Sequence, residues 1–415
     1  NMADKDREEI LDWLSPLNFW PTQQEVLKRR KEGTSVWIVN DPMFLRWTAG
    51  ETKRLWCTGI PGAGKTVIAS FIADYLQKVV PDSTDAVALV MFDYRRPETH
   101  VMEDLITSIT RQLLVQHATL PNALTRLYSR HKMMKTRPSR AETVAALHDA
   151  AALFKSIHLV VDALDEYSEA TQALLVPALA GLKNLRTLVT SRWIPAISNI
   201  WNYDERMEIR AHDADVERFI VSEIAEKPRL LTQVKRSSDL QNDIVDSIVK
   251  SARGMFLLAR FHMDYISTKN NPRAIRQALK LLTNTLDKTY CSAMDRIWSQ
   301  ITDDRVLAEK ALFWVAFSKR PMSIREMQHA VTIMEHDPDQ KVDDLDFTRT
   351  EIHEDELPDV DTILSVCAGL VMLEPASMNS PYCYWVPSAS DLVLRLSTTR
   401  LTSTFSHPAT KSFQP

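Results

Sequence analysis

The sequence predicts an α/β fold, a parallel sheet with helices on both faces, followed by an all-α helical domain and a small winged-helix-like unit. Three observations carry that expectation. Short apolar runs alternate with longer helical ones between Arg54 and Arg210, the pattern of parallel strands covered on both sides. Three of only eight glycines, Gly59, Gly62 and Gly64, fall between the first strand and its helix. Beyond Asp213 the strand signals stop and apolar residues recur at helical spacing.

Residues 1–53 read as a helical lead-in, DREEILDWL, TQQEVLKRRKEG and DPMFLRWTAG, punctuated by Pro16, Pro21 and Pro42. Its apolar surface is too small for an independent core, so it is expected to pack on the domain that begins at Arg54. Residues 54–210 supply the sheet, with strands in RLWCT, AVALVMF, IHLVVD, RTLVT and RMEIR and helices in KTVIASFIADYL and VMEDLITSITRQLL. The first of these helices is expected to bury Val67, Ile68, Phe71, Ile72, Tyr75 and Leu76. A helical domain follows over 211–300. Over 301–374, EKALFWVAF, SIREMQHAVTI and TILSVCAGLVMLE suit the winged-helix-like unit. The acidic stretch from Glu335 to Asp361 reads as a solvated loop or a place for a basic partner to dock. Residues 375–415, rich in Ser, Thr and Pro, read as an irregular, disordered tail.

Composition narrows the function. A chain of 415 residues can bury two or three cores. With 50 Lys plus Arg against 54 Asp plus Glu, the net charge of -4 leaves no basic footprint for nucleic acid or an anionic membrane. Four Cys, at 57, 291, 367 and 383, are too scattered for a disulfide framework, so a reduced, cytoplasmic setting is expected. Cys57 reads as core. No apolar run approaches the roughly 18 residues that span a bilayer, and the acidic start NMADKDREEI is unlike a signal peptide. Asn1 ahead of the first Met reads as a fragment boundary or a cloning scar. The eleven His lack metal-ligand spacing, which leaves Mg²⁺ as the expected metal. No Gly-x-Ser-x-Gly elbow is present, so nucleophilic hydrolysis has no support.

Gly59, Ile60, Pro61, Gly62, Ala63, Gly64, Lys65 and Thr66 fit the phosphate-binding loop, Gly, four residues, Gly, Lys, then Ser or Thr, between a strand and a helix. Glycines let the backbone wrap closely enough to aim N–H groups at phosphate oxygens, and the helix N-terminus adds a favourable dipole. Lys65 is expected to reach the β and γ phosphates and Thr66 to ligate Mg²⁺. In IHLVVDALDE a buried strand ends on Asp162, where a carboxylate can hold Mg²⁺ through water. Glu166 is placed to orient or deprotonate the attacking water, with Asp165 the alternative. Alone, such a strand reads more often as one ending in a solvated acidic turn, but downstream of a phosphate loop the functional reading is favoured. In RTLVTSR, Thr190, Ser191 and Arg192 form a polar trio where the γ phosphate is expected, and Arg192 suits a charge-assisted bond to it. The alternative is a surface arginine after a strand.

The ordered set GIPGAGKT, LVVDALDE and LVTSR resembles NACHT-type signal-transduction NTPases of the STAND class. In detail, WLSPLNFWPTQQEVLKRRKEGTSVWIV, SARGMFLLARFHMDYI and LKLLTNTLDKTYCSAMDRI resemble fungal NLR-like proteins with a nephrocystin-3-type N-terminal region, a kind often carrying ankyrin repeats. The resemblance implies a sheet in which the strand before Arg192 lies between the other two motif strands. It also implies a switch between an ADP-like closed state and a triphosphate state that oligomerises. Where relatives have Gly-x-Pro near the base, this chain reads Gly254, Met255, Phe256, which leaves ATP or GTP open. Relatives continue the winged helix with a segment similar to Arg-Leu-Val-His-Tyr-Thr-Thr, whereas this chain reads LRLSTTRLTST, a departure that suggests a frameshift or mispredicted splice boundary upstream of Leu396.

The sequence therefore points to an intracellular switch that binds ATP or GTP with Mg²⁺ and hydrolyses it slowly. Rival readings are a rapidly turning-over remodelling ATPase or kinase, and an inactive remnant acting as an interaction module.

Overall fold

Strands β1 (Arg54–Gly59), β2 (Asp85–Met91), β3 (Ser156–Asp162), β4 (Leu185–Ser191) and β5 (Glu205–Ile209) form one parallel sheet in the order β2-β3-β4-β1-β5. The structure, a computed structural model, describes residues 2–80, 84–92, 101–167, 169–192, 197, 201, 203–282, 291, 294–318, 320, 322–333, 353–367, 370–374 and 382–385. It divides into two compact units, Asn1–Phe219 and Ile220–Pro415. The strands match the five runs expected from sequence, and β4 lies between β1 and β3 as the resemblance implies. Every residue of β3 is buried, as both-face cover requires.

Helices α1 (Met2–Leu14), α2 (Trp20–Lys28) and α3 (Pro42–Ala49) precede β1. Their Ile10, Leu14, Val26, Phe44 and Trp47, with Phe19 just before α2, belong to the same apolar core as the sheet, so the lead-in packs on it. Helix α4 (Lys65–Val79) buries Ile68, Ala69, Ile72, Ala73 and Leu76. That face is rotated from the expected one, because the small Ala69 and Ala73 allow close approach to the sheet. Val67, Phe71 and Tyr75 are only partly buried, with Phe71 under the Arg30 guanidinium.

Helices α5 (Met102–Val115), α6 (Asn122–Met134), α7 (Arg140–Ala151) and α8 (Glu169–Ala180) complete the layers. The last three are not among the expected helices; α7 and α8 carry no apolar stripe, although Ser139 and Glu142 form a capping box at the start of α7. The outer strand β2 ends the sheet through two glutamines, Gln112 of α5 and Gln116 at its C-cap. Leu89 donates its N–H to Gln112 Oε1 at 2.9 Å while Gln112 Nε2 donates to Leu89 O at 2.9 Å. Gln116 repeats the pairing on Val87 at 3.0 and 2.8 Å. Side-chain amides thus occupy the edge groups that a further strand would use.

In the second unit, helices Pro228–Lys235, Leu240–Ala252, Phe256–Ser267 and Pro272–Leu279 follow one another. A separate core joins Ile297, Ala311, Leu312, Met327 and Ile363. Helices Thr302–Phe317, Ile324–Ile333 and Val360–Val366 accompany an antiparallel sheet of Met322–Ser323, Tyr382–Trp385 and Val371–Glu374, in that spatial order. Residues 382–385 fall in the stretch expected to be irregular. They form a strand because Tyr-Cys-Tyr-Trp is rich in β-formers, a local preference hidden by the surrounding Ser and Pro. The rest of the tail, with the Leu396 junction, and most of the acidic stretch lie outside the described residues.

Candidate functional site

The glycine pattern is explained at the carboxyl end of β1. Gly62 and Gly64 have φ of 75° and 96°, left-handed backbone that residues with a Cβ resist. At Gly59 a Cβ would come within 2.7 Å of the Ile209 carbonyl oxygen, so side-chain-free backbone lets the loop start against β5. The loop closes with Ala63 N–H donating to Ile60 O at 3.2 Å, and α4 begins at Lys65. The Lys65 ammonium donates to the carbonyl oxygens of Gly59 at 2.8 Å and Ile60 at 3.1 Å, curling over the loop. Burial pulls its pKa below the ordinary lysine range, opposed by the carboxylates of Asp165, Asp162 and Glu166.

Asp162 ends β3 and is 1% exposed. Thr190 Oγ1 donates to Asp162 Oδ1 at 2.5 Å, and the Thr66 hydroxyl also hydrogen bonds to Asp162. Burial raises the Asp162 carboxyl above the usual carboxylate range, opposed by the two hydroxyls and Lys65. The fit to Mg²⁺ is chemical. A hydroxyl and a carboxylate brought together at a phosphate loop form the hard-oxygen set of a cation that keeps several waters and takes one or two carboxylates plus phosphate.

After Asp162 the chain turns sharply. Ala163 takes φ 57° and ψ 45°, and Leu164–Glu166 form a single 3₁₀ turn. Ala163 N–H donates to Thr190 Oγ1 at 3.1 Å. Gln172, 2% exposed, braces the turn by donating to Leu164 O at 3.1 Å and Tyr167 O at 2.7 Å. The turn carries Asp165 and Glu166 back within electrostatic range of Lys65.

Arg192 follows β4 directly. Its Nε lies 3.0 Å from Asp165 Oδ2, and its backbone N–H donates to Asp165 Oδ1 at 3.1 Å. The structure thus gathers Lys65, Thr66, Asp162, Asp165 and Arg192 at one end of three adjacent strands, with Glu166 on the same turn. Thr190, expected with Ser191 and Arg192 near the γ phosphate, instead binds Asp162, and Ala163 and Gln172, which shape the turn, were left without a role by sequence reasoning. Thr190 was visible as the polar residue in register beyond the apolar run of β4. Nothing in local spacing points to Ala163 or Gln172. Gly254 has φ 79° after Arg253 at 46°, the turn between Leu240–Ala252 and Phe256–Ser267 in the second unit.

Residues 33–192 match the nephrocystin 3, N-terminal family. The vegetative incompatibility protein HET-E-1 of Podospora anserina is 26% identical over 337 residues, an alignment covering 74% of this chain and 23% of that protein. The chain therefore spans less than a quarter of that relative's length. Among solved structures, a STAND protein with a tetratricopeptide repeat sensor from Pyrococcus horikoshii aligns at TM-score 0.44 and 11% identity, over 93% of this chain and 47% of that one. A Walker-type ATPase of Pyrococcus abyssi aligns at TM-score 0.37 and 12% identity, over 86% and 96%. No helix among the described residues is long and apolar enough to cross a membrane. The phosphate loop and the parallel strand order are those of a P-loop NTPase fold, and over residues 33–192, which hold the loop and strands β1 to β4, the chain is similar to NACHT/STAND proteins.

Proposed function

We propose that the chain is a nucleotide-dependent signalling switch that binds ATP or GTP with Mg²⁺ and hydrolyses it slowly. The observation that carries this reading is the joining of Thr66 and Asp162 beside Lys65 at the phosphate loop. In the proposal, Lys65 and the backbone of Gly59, Ile60, Pro61, Gly62, Ala63, Gly64 and Thr66 hold the phosphates. Thr66 and Asp162 hold Mg²⁺, which supplies neutralising charge to the phosphates when bound. Glu166 orients or deprotonates the attacking water, and Arg192 answers the γ phosphate.

The relative named for vegetative incompatibility supports a role in fungal self/non-self recognition or innate immunity. The reading includes a cytoplasmic location, homo-oligomerisation on activation and no nucleic-acid partner. It also keeps the division into a nucleotide domain over 54–210, a helical domain over 211–300 and a winged-helix-like domain over 301–374.

Mass spectrometry of nucleotide that copurifies with the protein tests the switch, with ADP expected. Steady-state phosphate release is expected far below the usual enzyme range of about 1 to 1,000 per second. Turnover inside that range favours a remodelling ATPase or kinase, and an absence of Mg²⁺-dependent nucleotide binding favours an interaction module. Glu166→Gln is expected to keep nucleotide affinity within a few-fold and to slow hydrolysis roughly 100-fold or more. Unaltered turnover would remove Glu166 from the chemistry.

A further inference from the structure

Arg192 is 46% exposed at its side chain, yet it is held at three points by groups that are almost wholly buried. Both oxygens of Asp165, 5% exposed, engage it, one at the backbone N–H and one at Nε. Its carbonyl oxygen accepts from the Ser191 hydroxyl at 2.7 Å, and Ser191 Oγ in turn accepts from Trp56 Nε1 at 2.7 Å. A solvated arginine after a strand needs none of this. Long side chains lose rotamer freedom when fixed, so a fold that fixes one at the phosphate end does so against a tendency to wander. A guanidinium gripped at Nε also has its plane and direction set, which a contact at a terminal nitrogen does not achieve.

We propose that Asp165 is the positioning residue of Arg192, and that this fork sets how strongly the site distinguishes a nucleoside triphosphate from a diphosphate. The proposal rests on the functional reading in which Arg192 meets the γ phosphate. It separates two neighbouring carboxylates that the sequence leaves interchangeable: Glu166 acts on water, whereas Asp165 acts through the arginine. Trp56 and Ser191 extend the support into the sheet.

The test compares affinities of the full chain for β,γ-imido-ATP and ADP, both with Mg²⁺, by calorimetry. In Arg192→Ala the triphosphate-to-diphosphate preference is expected to fall about tenfold, the scale of one charge-assisted contact. Asp165→Asn is expected to lower the preference several-fold while ADP affinity stays near wild type. The double variant should fall no further than Arg192→Ala alone, because the two residues act as one unit. Arg192→Lys, an exposed change that leaves folding undisturbed, keeps the charge but loses the Nε grip and should lose most of the preference. An Asp165→Asn protein with wild-type preference but impaired hydrolysis at saturating ATP would make Asp165 the catalytic residue and overturn the proposal. Full preference in Arg192→Lys would overturn it too, since any cation would then suffice. If Arg192→Ala itself changes nothing, the underlying assignment of Arg192 fails, and the proposal with it.

Discussion

Strands β3 and β4 bury polar groups at both ends, but only at the carboxyl end do exposed residues, Thr66 and Arg192, stand among the partners. At the amino end His158, 3% exposed, stands in register with Arg186, whose Nη1 lies 3.2 Å from His158 Nε2 and also donates to the Thr48 carbonyl. Trp47 covers the pair edge-on at 5.3 Å between rings. Gly50 leaves room for the guanidinium, since a Cβ there would come within 2.6 Å of it. His158 Nδ1 and Trp47 Nε1 have no hydrogen-bond partner among the described residues. At the carboxyl end Asp162 is as deeply buried, but its partners Thr66 and Lys65 line an open loop, and exposed Arg192 stands beside it. Both ends perturb proton affinity. A perturbed buried group therefore marks a site only where its partners reach solvent and backbone N–H groups converge.

The widest separation between the two ends is expected from Lys65→Ala. Removing the ammonium should weaken Mg²⁺-nucleotide binding about 100-fold or more, because it forms charge-assisted bonds to phosphate. The unliganded protein should lose no more than about 1 kcal/mol, the two carbonyl contacts of Lys65 being partly replaced by water. Titration calorimetry and denaturant unfolding read the two effects. Affinity within a few-fold of wild type would detach the loop from nucleotide binding.

The amino end should respond to pH where the carboxyl end responds to nucleotide. Burial, reinforced by Arg186, pushes the His158 pKa down to about 4. Its unfolded value is near 6.5, so the unfolded chain takes up the proton first. Stability from neutral His158 is complete above about pH 6.5 and is lost as pH falls toward 4, roughly 2 kcal/mol of it by pH 5. His158→Gln keeps an acceptor for Arg186 and should flatten that slope, measured as urea midpoints at the two pH values. An unchanged slope would place the titrating group elsewhere. Asp162 moves oppositely. Its raised carboxyl pKa means that Mg²⁺-dependent binding should weaken on acidification earlier than for an ordinary aspartate.

Much of the carboxyl end was legible in the sequence, whereas little of the amino end was. Gly59, Lys65, Thr66 and Asp162 obey spacings imposed by phosphate and metal chemistry, and a strand before each fixes their end of the sheet. His158 and Arg186 meet across two strands 28 positions apart, and no local period announces such a meeting. The pairing of Asp165 with Arg192 was hidden for the same reason, although both residues were visible singly. Helix α7 escaped because its apolar face is weak and α8 because it is apolar almost all round, so their position follows from tertiary packing rather than from periodicity. The sealing of β2 by Gln112 and Gln116 was invisible because a glutamine pair four apart reads as a solvated helix face.

The smallest effect concerns the turn that makes the carboxyl end what it is. Ala163 is left-handed at φ 57°, between a strand that must end on Asp162 and a 3₁₀ turn that must bring Asp165 and Glu166 back to the loop. An L-residue there costs about 1–2 kcal/mol, and the bonds from Ala163 N–H to Thr190 and from Glu166 N–H to Ala163 O at 2.9 Å hold it in place. Ala163→Gly removes the Cβ conflict but frees the unfolded chain by about 0.5–1 kcal/mol. The two nearly cancel, so a net gain of about 0.5 kcal/mol is expected, with nucleotide affinity unaltered because every backbone contact is kept. Ala163→Val asks a β-branched residue to adopt the same conformation and should lose about 2 kcal/mol or flatten the turn, lowering hydrolysis with it. Urea midpoints and phosphate release on the pair read both. Equal behaviour of the glycine and valine variants would show that Ala163 is not held left-handed in solution, and the turn would then owe its shape to Gln172 and Thr190 alone.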